Sequence, residues 1–431
     1  MIEQIESIRE YNPWGGNNIA SGYRRDFYMS KITPYIGNSL VKVLTGQRRT
    51  GKSYILRQIA MELIHNGIAS ENILFINCEF SVFNFLQTHE DLEKLIREYL
   101  KRLSPQGKFF LFIDEVQNIT SWERSVNSLS QDFTSPCEIF ISGSNSTMLS
   151  GELATHLSGR YIQFEILPFS YSEWCDVHQK EQGFESYEEY LHDGGLPELT
   201  HLNEDEVRRH YMSSLKDTIL LRDIISRYSI RDPKLLEELF VYTVNNATKL
   251  TSPNNIVKFY KGKGKKVNYE TVASYLAYMT ETYIVHKAER YNIQGKETIA
   301  GNCKYYINDL SFYNYLYRGF SYGAGYELEN LIYLELRRAG YEIYVGTAQD
   351  THTDEQKEVD FVAINGDKKI YVQVSYEISD SKTLEREYSS LELIQDHYPK
   401  FVVTMDKFQR PNRNGIVHVL APEFSKVLGR M

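Results

Sequence analysis

The sequence predicts an α/β protein whose N-terminal part contains a mainly parallel sheet. Between residues 40 and 165, apolar and β-branched segments alternate with helical patterns, which is typical of parallel strands joined by crossover helices. Residues 108–115 (KFFLFIDE) form an apolar run that ends in two acids, as expected for a strand covered on both faces of a sheet. The chain has 431 residues, more than one hydrophobic core usually holds, so we expect several domains.

A glycine-containing loop follows the first predicted strand, residues 41–45, and precedes a predicted helix. Glycines near both ends let the backbone turn tightly, so that successive N–H groups point into one concavity that fits a polyphosphate. Lys52 supplies a cation for the β- and γ-phosphates, Ser53 offers a hydroxyl to Mg²⁺, and the helix N-terminus adds its dipole. The alternative is a fortuitous glycine-rich turn. The predicted nucleotide-binding residues are Gly46, Gln47, Arg48, Arg49, Thr50, Gly51, Lys52, Ser53 and Tyr54.

Two acids end the long apolar run, at the sheet edge where ligands of such folds bind. Asp114 is suited to hold hydrated Mg²⁺ opposite Ser53, and Glu115 to orient or deprotonate an attacking water. The alternative is a pair of solvated carboxylates. The next apolar strand also ends in polar residues, one of which can reach the same water or the γ-phosphate. Asn145 is our first candidate and Ser144 the second.

Composition excludes several protein classes. The net charge of −9 argues against a chain that is basic throughout, although a local lysine cluster can still bind nucleic acid. Four cysteines without C-x-x-C spacing disfavour a disulfide scaffold and a zinc knuckle. The polar N-terminus and the absence of a long apolar run predict a cytoplasmic protein without a membrane span.

The middle of the chain predicts three helices at 234–246, 252–260 and 269–281, followed by a hairpin at 284–291 and 303–309. A basic, glycine-containing segment lies between the second and third helices. Its lysines can follow phosphates without reading bases, which indicates contact with DNA. The alternatives are a solvated basic loop and a protein docking module. The lysines are Lys258, Lys261, Lys263, Lys265 and Lys266.

Taken together, these motifs resemble a bacterial and archaeal branch of the AAA+ ATPases. The resemblance covers nearly the whole chain and is carried by residues 46–53, 113–117 (IDEVQ), 141–145 (ISGSN), 157–160 (LSGR) and 167–170 (LPFS). It implies a P-loop NTPase core that uses ATP and Mg²⁺. It also implies a helical lid, a winged helix and a C-terminal domain of the DUF4143 type, with an α/β fold related to PD-(D/E)XK restriction endonucleases.

The resemblance also implies roles for single residues. Lys52 and Ser53 would bind phosphate and Mg²⁺, and Asp114 and Glu115 would form the second acidic motif. Asn145 resembles the sensor residue. Arg160 matches an arginine that can act as a finger on the γ-phosphate, from its own or a neighbouring subunit; the alternative is an ordinary salt bridge. Pro197, in the turn 194–197, would lie against the adenine unless this segment is only a turn.

We therefore expect four domains. They are an AAA+ core with an N-terminal segment at 1–170, a helical lid at 171–231, a winged helix at 232–320 and a PD-(D/E)XK-like domain at 321–431.

The last domain contains a second candidate site. Active members of that fold bind Mg²⁺ through carboxylates on a helix and a hairpin, assisted by a lysine. Glu329 and Asp360 match two acidic positions, but the third position holds Gln373 and the lysine position holds Ser375. A neutral carbonyl weakens metal binding and a serine supplies no cation, so we expect an inactive site in a docking or substrate-binding domain.

The leading functional hypothesis is an Mg²⁺-dependent ATPase that uses ATP binding and hydrolysis to switch the arrangement of its C-terminal modules. ATP and ADP are the expected ligands. DNA, other proteins and further copies of the chain remain open as partners. One alternative is a nucleotide-gated DNA-binding or interaction protein with little turnover, and another is an ATP-coupled DNA nuclease.

Overall fold

The computed structural model describes residues 2–16, 19–146, 157, 159–317, 323–350 and 355–431. The chain divides into two compact units, Met1–Ile166 and Leu167–Met431. The four predicted domains stay a prediction, and the boundary placed between residues 320 and 321 falls outside the described residues.

The first unit contains a five-stranded sheet in which every pairing is parallel, in the order β2-β3-β4-β1-β5. The predicted α/β fold with a parallel sheet is confirmed. The strands are β1 (Val41–Thr45), β2 (Ile73–Asn77), β3 (Phe109–Asp114), β4 (Cys137–Gly143) and β5 (Tyr161–Glu165). The helices are α1 (Ile2–Ile8), α2 (Asp26–Ile32), α3 (Lys52–His65), α4 (His89–Leu103) and α5 (Trp122–Ser130).

Strand β3 is buried at all six positions because helices cover both faces of the sheet. On one face the ring of Phe112 stacks between Phe75 at 5.8 Å and Phe140 at 4.7 Å, so three adjacent strands are linked by aromatic contacts. The carboxyl end of β3 is thereby fixed at the edge where Asp114 and Glu115 follow.

Asn12 covers the backbone of the edge strand β2. Its Nδ2 donates to the carbonyl oxygens of Ile8 and Phe75, each at 3.0 Å, and its Oδ1 accepts from the N–H of Phe75 at 2.6 Å. The side chain is fully buried. The turn at residues 12–16 therefore has a structural role, because it satisfies an exposed strand edge.

We expect Asn12→Ala to lower the free energy of unfolding by about 2–4 kcal/mol, since it removes three hydrogen bonds and leaves buried backbone groups unpaired. Urea titration followed by circular dichroism measures the change. Asn84→Ala, at an exposed asparagine of the same unit, is the control. Equal stability of the two variants would contradict this structural role.

The second unit combines a helical part with a seven-stranded mixed sheet. Its first helices are α6 (Tyr171–His178), α7 (Phe184–Asp193), α8 (Asp205–Thr218), α9 (Pro233–Asn245), α10 (Pro253–Gly262) and α11 (Tyr269–Glu281). The later helices are α12 (Ser311–Leu316), α13 (Ala324–Arg338), α14 (Ser381–Glu392) and α15 (Phe424–Gly429). A π-helical segment, Ile219–Ile225, extends α8.

The strands of this sheet lie in the order β12-β11-β10-β9-β8-β6-β7. They are β6 (Val285–Asn292), β7 (Glu297–Ile307), β8 (Glu342–Gln349), β9 (Gln356–Asn365), β10 (Lys368–Ser375), β11 (Lys400–Thr404) and β12 (Ile416–Leu420). Strand β6 pairs in parallel with β8, so the hairpin predicted as a wing belongs to the same sheet as the C-terminal strands. The winged helix and the PD-(D/E)XK-like fold stay predictions.

Within the described ranges, no helix is both long enough and apolar enough to cross a lipid bilayer.

Candidate functional site

The loop between β1 and α3 has the backbone geometry that its glycines allow. Gly46 has φ +139°, and a Cβ there would lie 2.3 Å from the carbonyl oxygen of Ile166. Gly51 has φ +97° and directly precedes α3. Arg49 adopts φ 72°, a left-handed conformation that costs a non-glycine residue about 1 kcal/mol or more. The loop therefore holds a tight turn that most side chains could not form.

Lys52 begins α3 and folds back over this loop. Its Nζ donates to the carbonyl oxygens of Gly46 and Gln47, each at 2.9 Å, and lies 4.0 Å from Oε1 of Glu115. The side chain is almost fully buried. The ammonium thus lies between the glycine-containing loop and the acids that follow β3.

Asp114 connects β3 to both neighbouring strands. Its Oδ2 accepts from Nδ2 of Asn77 at 2.9 Å, and its Oδ1 accepts a short hydrogen bond from the Ser142 hydroxyl. Burial, and next the charge of Glu115, raise the pKa of Asp114 to about 6, while hydrogen bonds to Ser142 and Ser53 oppose the increase. The hydroxyl of Ser53 is therefore close enough to the Asp114 carboxyl to influence its pKa.

Glu115 has a left-handed backbone, with φ 55°, which is often found at functional sites. Its N–H donates to Oγ of Ser142 at 3.0 Å. Its Oε2 accepts a short hydrogen bond from Nε2 of Gln117, whose own Oε1 is a buried atom without a hydrogen-bond partner among the described residues. Gln117 therefore fixes the Glu115 carboxylate on the side of the loop.

The end of β4 contributes Ser144 and Asn145, both buried. Oγ of Ser144 has no hydrogen-bond partner within the described part of the chain. A buried hydroxyl without a partner is costly, and a bound ligand would satisfy it.

The other predicted loop residues have structural contacts. Arg48 pairs with Glu79 at 2.8 Å. Thr50 donates from Oγ1 to the carbonyl oxygen of Gln47 at 3.0 Å. Arg49 and Tyr54 are exposed. The fully buried Arg25 donates to the carbonyl oxygen of Thr50 at 3.0 Å, a support that sequence reasoning missed.

Arg160 lies at the amino end of the parallel strands, whereas this loop lies at their carboxyl end. Its carbonyl oxygen accepts from the N–H of Val41, the first residue of β1, at 2.8 Å, whereas the loop follows the last residue of β1. The exposed side chain donates to Oδ1 of Asn127 on α5 at 3.1 Å. The five residues of β5 span about 16 Å, so the loop and Arg160 of one chain do not meet. Ser158 of the same motif lies outside the described residues.

The residues brought together fit Mg²⁺ bound with a nucleotide. This ion usually takes one or two protein oxygens and completes its octahedron with water and phosphate oxygens. Ser53 and Asp114 provide such a pair, and Asn77 and Ser142 orient the carboxyl.

Comparison with known proteins gives one domain match in the first part of the chain and two relatives that align over most of its length. Residues 38–175 match a family described as an AAA domain. An uncharacterized protein of Haemophilus influenzae is 33% identical over 400 residues, which cover 91% of this chain and 96% of that protein. An uncharacterized protein of Methanocaldococcus jannaschii is 31% identical over 365 residues, which cover 82% of this chain and 78% of that protein. The chain therefore contains a match to an AAA domain at 38–175 and belongs to the same family as these two uncharacterized proteins.

Two further similarities were found. Residues 184–322 match a domain of unknown function, DUF8612, so the resemblance to the DUF4143 type is not confirmed. Among solved structures, the Walker-type ATPase of Pyrococcus abyssi is 14% identical, with a TM-score of 0.44, and the match covers 68% of this chain and 95% of that one.

In the second unit of the chain, the turn before Pro197 is closely packed. The N–H of Gly195 donates to Oδ2 of Asp309 at 2.7 Å, and the N–H of Ser311 donates to Oδ1 at 3.0 Å. A Cβ at Gly194 would lie 2.1 Å from Oδ1 of Asp309. Pro197 begins a short helix after this turn, and its contact with adenine stays a prediction.

Asp309 makes the stability of this unit depend on pH. Burial raises the pKa of Asp309 to about 6, above its value of about 3.9 in an unfolded chain. Asp309 therefore stays protonated to a higher pH in the folded state than in the unfolded chain. The stabilisation that this proton gives to the folded state is complete below about pH 4 and is lost as the pH rises through 6. Asparagine does not titrate, so Asp309→Asn should lack this pH dependence. We expect the difference in unfolding free energy between wild type and Asp309→Asn to decrease by about 2–3 kcal/mol between pH 4 and pH 7. Urea titrations at each pH measure it, with exposed Asp205→Asn as the control.

The acids of the second predicted site surround a lysine. Lys304 Nζ lies 2.8 Å from Oε1 of Glu329 and 3.5 Å from Oδ1 of Asp360. Burial, and next the charge of Glu329, raise the pKa of Asp360 to about 8, against the opposing charge of Lys304. Gln373 accepts from the N–H of Asp360 at 3.2 Å, and the Ser375 hydroxyl donates to the carbonyl oxygen of Glu377 at 3.4 Å.

The predicted DNA-contacting lysines are all exposed, at the end of α10 and in the segment that follows it. Lys265 pairs with Glu238 at 2.5 Å. Lys263 lies 4.3 Å from the ring centre of Phe259, which is 40% exposed. Lys258, Lys261 and Lys266 complete this basic surface.

Proposed function

We propose that this protein is an Mg²⁺-dependent ATPase. The observation that carries the proposal is the convergence of Lys52, Ser53, Asp114 and Glu115 at one edge of the parallel sheet, beside a loop whose glycines leave its backbone open to phosphate. Cation, hydroxyl, carboxylate and base are the groups that phosphoryl transfer to water requires.

Each residue has a separate task in this proposal. In the structure the ammonium of Lys52 donates to the carbonyl oxygens of Gly46 and Gln47. When a nucleotide binds, this ammonium would donate to phosphate oxygens instead, because these bear more charge. Ser53 and Asp114 would hold Mg²⁺, which neutralises charge on the β- and γ-phosphates when bound. The remaining loop residues, Gln47 to Thr50, and Tyr54 line the nucleotide.

Glu115 is the proposed general base. Its carboxylate accepts a hydrogen bond from Gln117. The Oε1 of Gln117, which has no hydrogen-bond partner among the described residues, is available to accept from the attacking water. Ser144 and Asn145 are proposed to contact the γ-phosphate. The Ser144 hydroxyl follows the end of the neighbouring strand β4 and has no partner in the part of the chain that the structure describes.

Arg160 is proposed to act on the nucleotide of a neighbouring copy. Arg160 is at the opposite end of the strands from the loop of its own chain, which argues against a role at that loop. Its side chain is exposed, so a neighbouring copy could contact the guanidinium. A guanidinium suits the charge that develops on a transferred phosphoryl group. Hydrolysis would then switch the arrangement of the C-terminal modules, with Pro197 against the adenine.

Calorimetric titration with ATP and Mg²⁺, combined with phosphate release, tests this function. We expect wild-type protein to bind and hydrolyse ATP, and Lys52→Ala to lose binding. Lys94→Ala, at an exposed lysine of α4, should behave as wild type. Binding without turnover would favour a nucleotide-gated interaction protein, and no binding by folded wild type would refute the proposal.

DNA contact through the basic segment is a second candidate, supported by the exposure of its five lysines beside the exposed ring of Phe259. For the double variant Lys261→Ala/Lys266→Ala we expect the slope of log K against log salt to fall by about 2, because two phosphate contacts are lost. Fluorescence anisotropy with labelled duplex DNA measures the slope. An unchanged slope would contradict the candidate.

A further inference from the structure

A single buried ammonium holds three carboxylates together in the second unit. Nζ of Lys304, on β7, lies 2.8 Å from Oε1 of Glu329, 2.8 Å from Oε1 of Glu358 and 3.5 Å from Oδ1 of Asp360. The Lys304 side chain is only 4% exposed. The carboxylates come from two different elements, α13 and β9, and the lysine lies between them.

The oxygens around Lys304 have few other polar contacts. Oε1 of Glu329 also accepts from the hydroxyl of Tyr306 at 2.9 Å, and Oδ2 of Asp360 accepts from the N–H of Val374 at 2.8 Å. Buried carboxylates need a compensating charge, because their desolvation is expensive. Lys304 provides that charge for the whole cluster.

The point occupied by Nζ is where a divalent cation would lie. Metals in this kind of site are bound by one oxygen from each of several carboxylates. The same pattern of one oxygen from each of three carboxylates is present here, directed at nitrogen. Among the described residues, no group of three or more acid, histidine or cysteine side chains is arranged to hold a metal.

Neighbouring residues do not supply a second set of ligands. Gln373 donates from Nε2 to Oε2 of Glu387 at 3.0 Å, and the charge of Glu387 is already paired with Arg386, whose Nε lies 2.9 Å from Oε1. These residues line an open pocket of about 530 Å³ together with Glu358 and Asp360. Each carboxylate of the pocket therefore has a cation of the chain itself beside it.

We propose that the ammonium of Lys304 takes the place of a divalent cation in a nuclease-like cluster, so that this site binds no metal. The C-terminal part then keeps the carboxylate arrangement as a fixed ion cluster without the metal that phosphodiester hydrolysis would require. Lys304 is on β7, whereas the sequence pattern places the lysine of active members at residue 375, the end of β10. This inference does not depend on the ATPase proposal.

Titration of nucleotide-free protein with Mn²⁺, followed by electron paramagnetic resonance, tests the proposal. We expect Lys304→Met, whose unbranched side chain is one atom shorter and lacks the ammonium group, to bind Mn²⁺ at least ~10-fold more tightly than wild type. Lys304→Arg keeps the charge and should resemble wild type. Because Asp360→Asn removes one carboxylate, adding it to Lys304→Met should abolish the new binding and assign it to this cluster.

Three results would overturn the proposal. The first is Mn²⁺ binding by wild type that Asp360→Asn abolishes, and the second is folded Lys304→Met without added affinity. The third is nicking of supercoiled plasmid by wild type with Mn²⁺ that Asp360→Asn removes. If Lys304→Met does not fold, the double variant Lys304→Met/Glu358→Gln lowers the uncompensated charge, and the wild-type titration decides independently.

Discussion

Glu115→Gln is expected to lower the rate of ATP hydrolysis by about 10²–10⁴-fold and to leave ATP binding nearly unchanged. Glutamine has the shape of glutamate but cannot accept a proton from water. In the structure this carboxylate lies 4.0 Å from Nζ of Lys52 and accepts from Gln117, so the base is directed at the loop. The geometry of the loop does not depend on the charge of Glu115, so the variant should still bind the nucleotide.

Phosphate release under saturating ATP and calorimetric binding separate the two effects. Glu90→Gln, at an exposed glutamate of α4, serves as the matched control and should retain wild-type turnover. Turnover by Glu115→Gln within a few-fold of wild type would assign the base to another group. Equal loss of binding and turnover would instead give Glu115 a structural role.

Local sequence signals predicted much of the fold. Strand β3 (Phe109–Asp114) lies within the apolar run at 108–115, because a strand buried on both faces needs no polar alternation. Helix α11 has the predicted bounds, Tyr269–Glu281, since Asn268 caps its first turn through the N–H of Thr271. The tight turn after β1 was predictable because Gly46 and Gly51 lie within one short stretch of sequence.

Contacts between distant segments were not predictable in this way. Lys304 was expected only as part of a wing strand, yet it contacts Glu329 and Asp360, 25 and 56 residues away. Ser142 reaches Asp114 across 28 residues. Periodicity indicates which face of a strand is buried, but the pairing of strands determines which side chains meet on that face. A single sequence contains no local signal for such pairings.

The parallel pairing of β1 and β5 determines where Arg160 lies relative to the loop after β1, and so limits the roles that this residue can have. Parallel pairing places Val41 opposite Tyr161 and Thr45 opposite Glu165, so the loop follows one end of the two strands and Arg160 precedes the other. The side chain is exposed and held by one hydrogen bond to Asn127, which costs little to break. This accessibility supports the proposal that Arg160 acts on the nucleotide of a second copy of the chain.

Arg160→Ala should lower ATP turnover by about 10³–10⁵-fold, the value of an arginine that stabilises the transition state from a neighbouring molecule. Mixing the inactive variants Arg160→Ala and Lys52→Ala should restore part of the activity, because the first keeps an intact nucleotide site and the second supplies the arginine. Phosphate release from the mixture, compared with each variant alone, measures the restoration. Arg124→Ala, at an exposed arginine of α5, is the control for surface charge. An arginine that acts within its own chain would leave the mixture as inactive as its components.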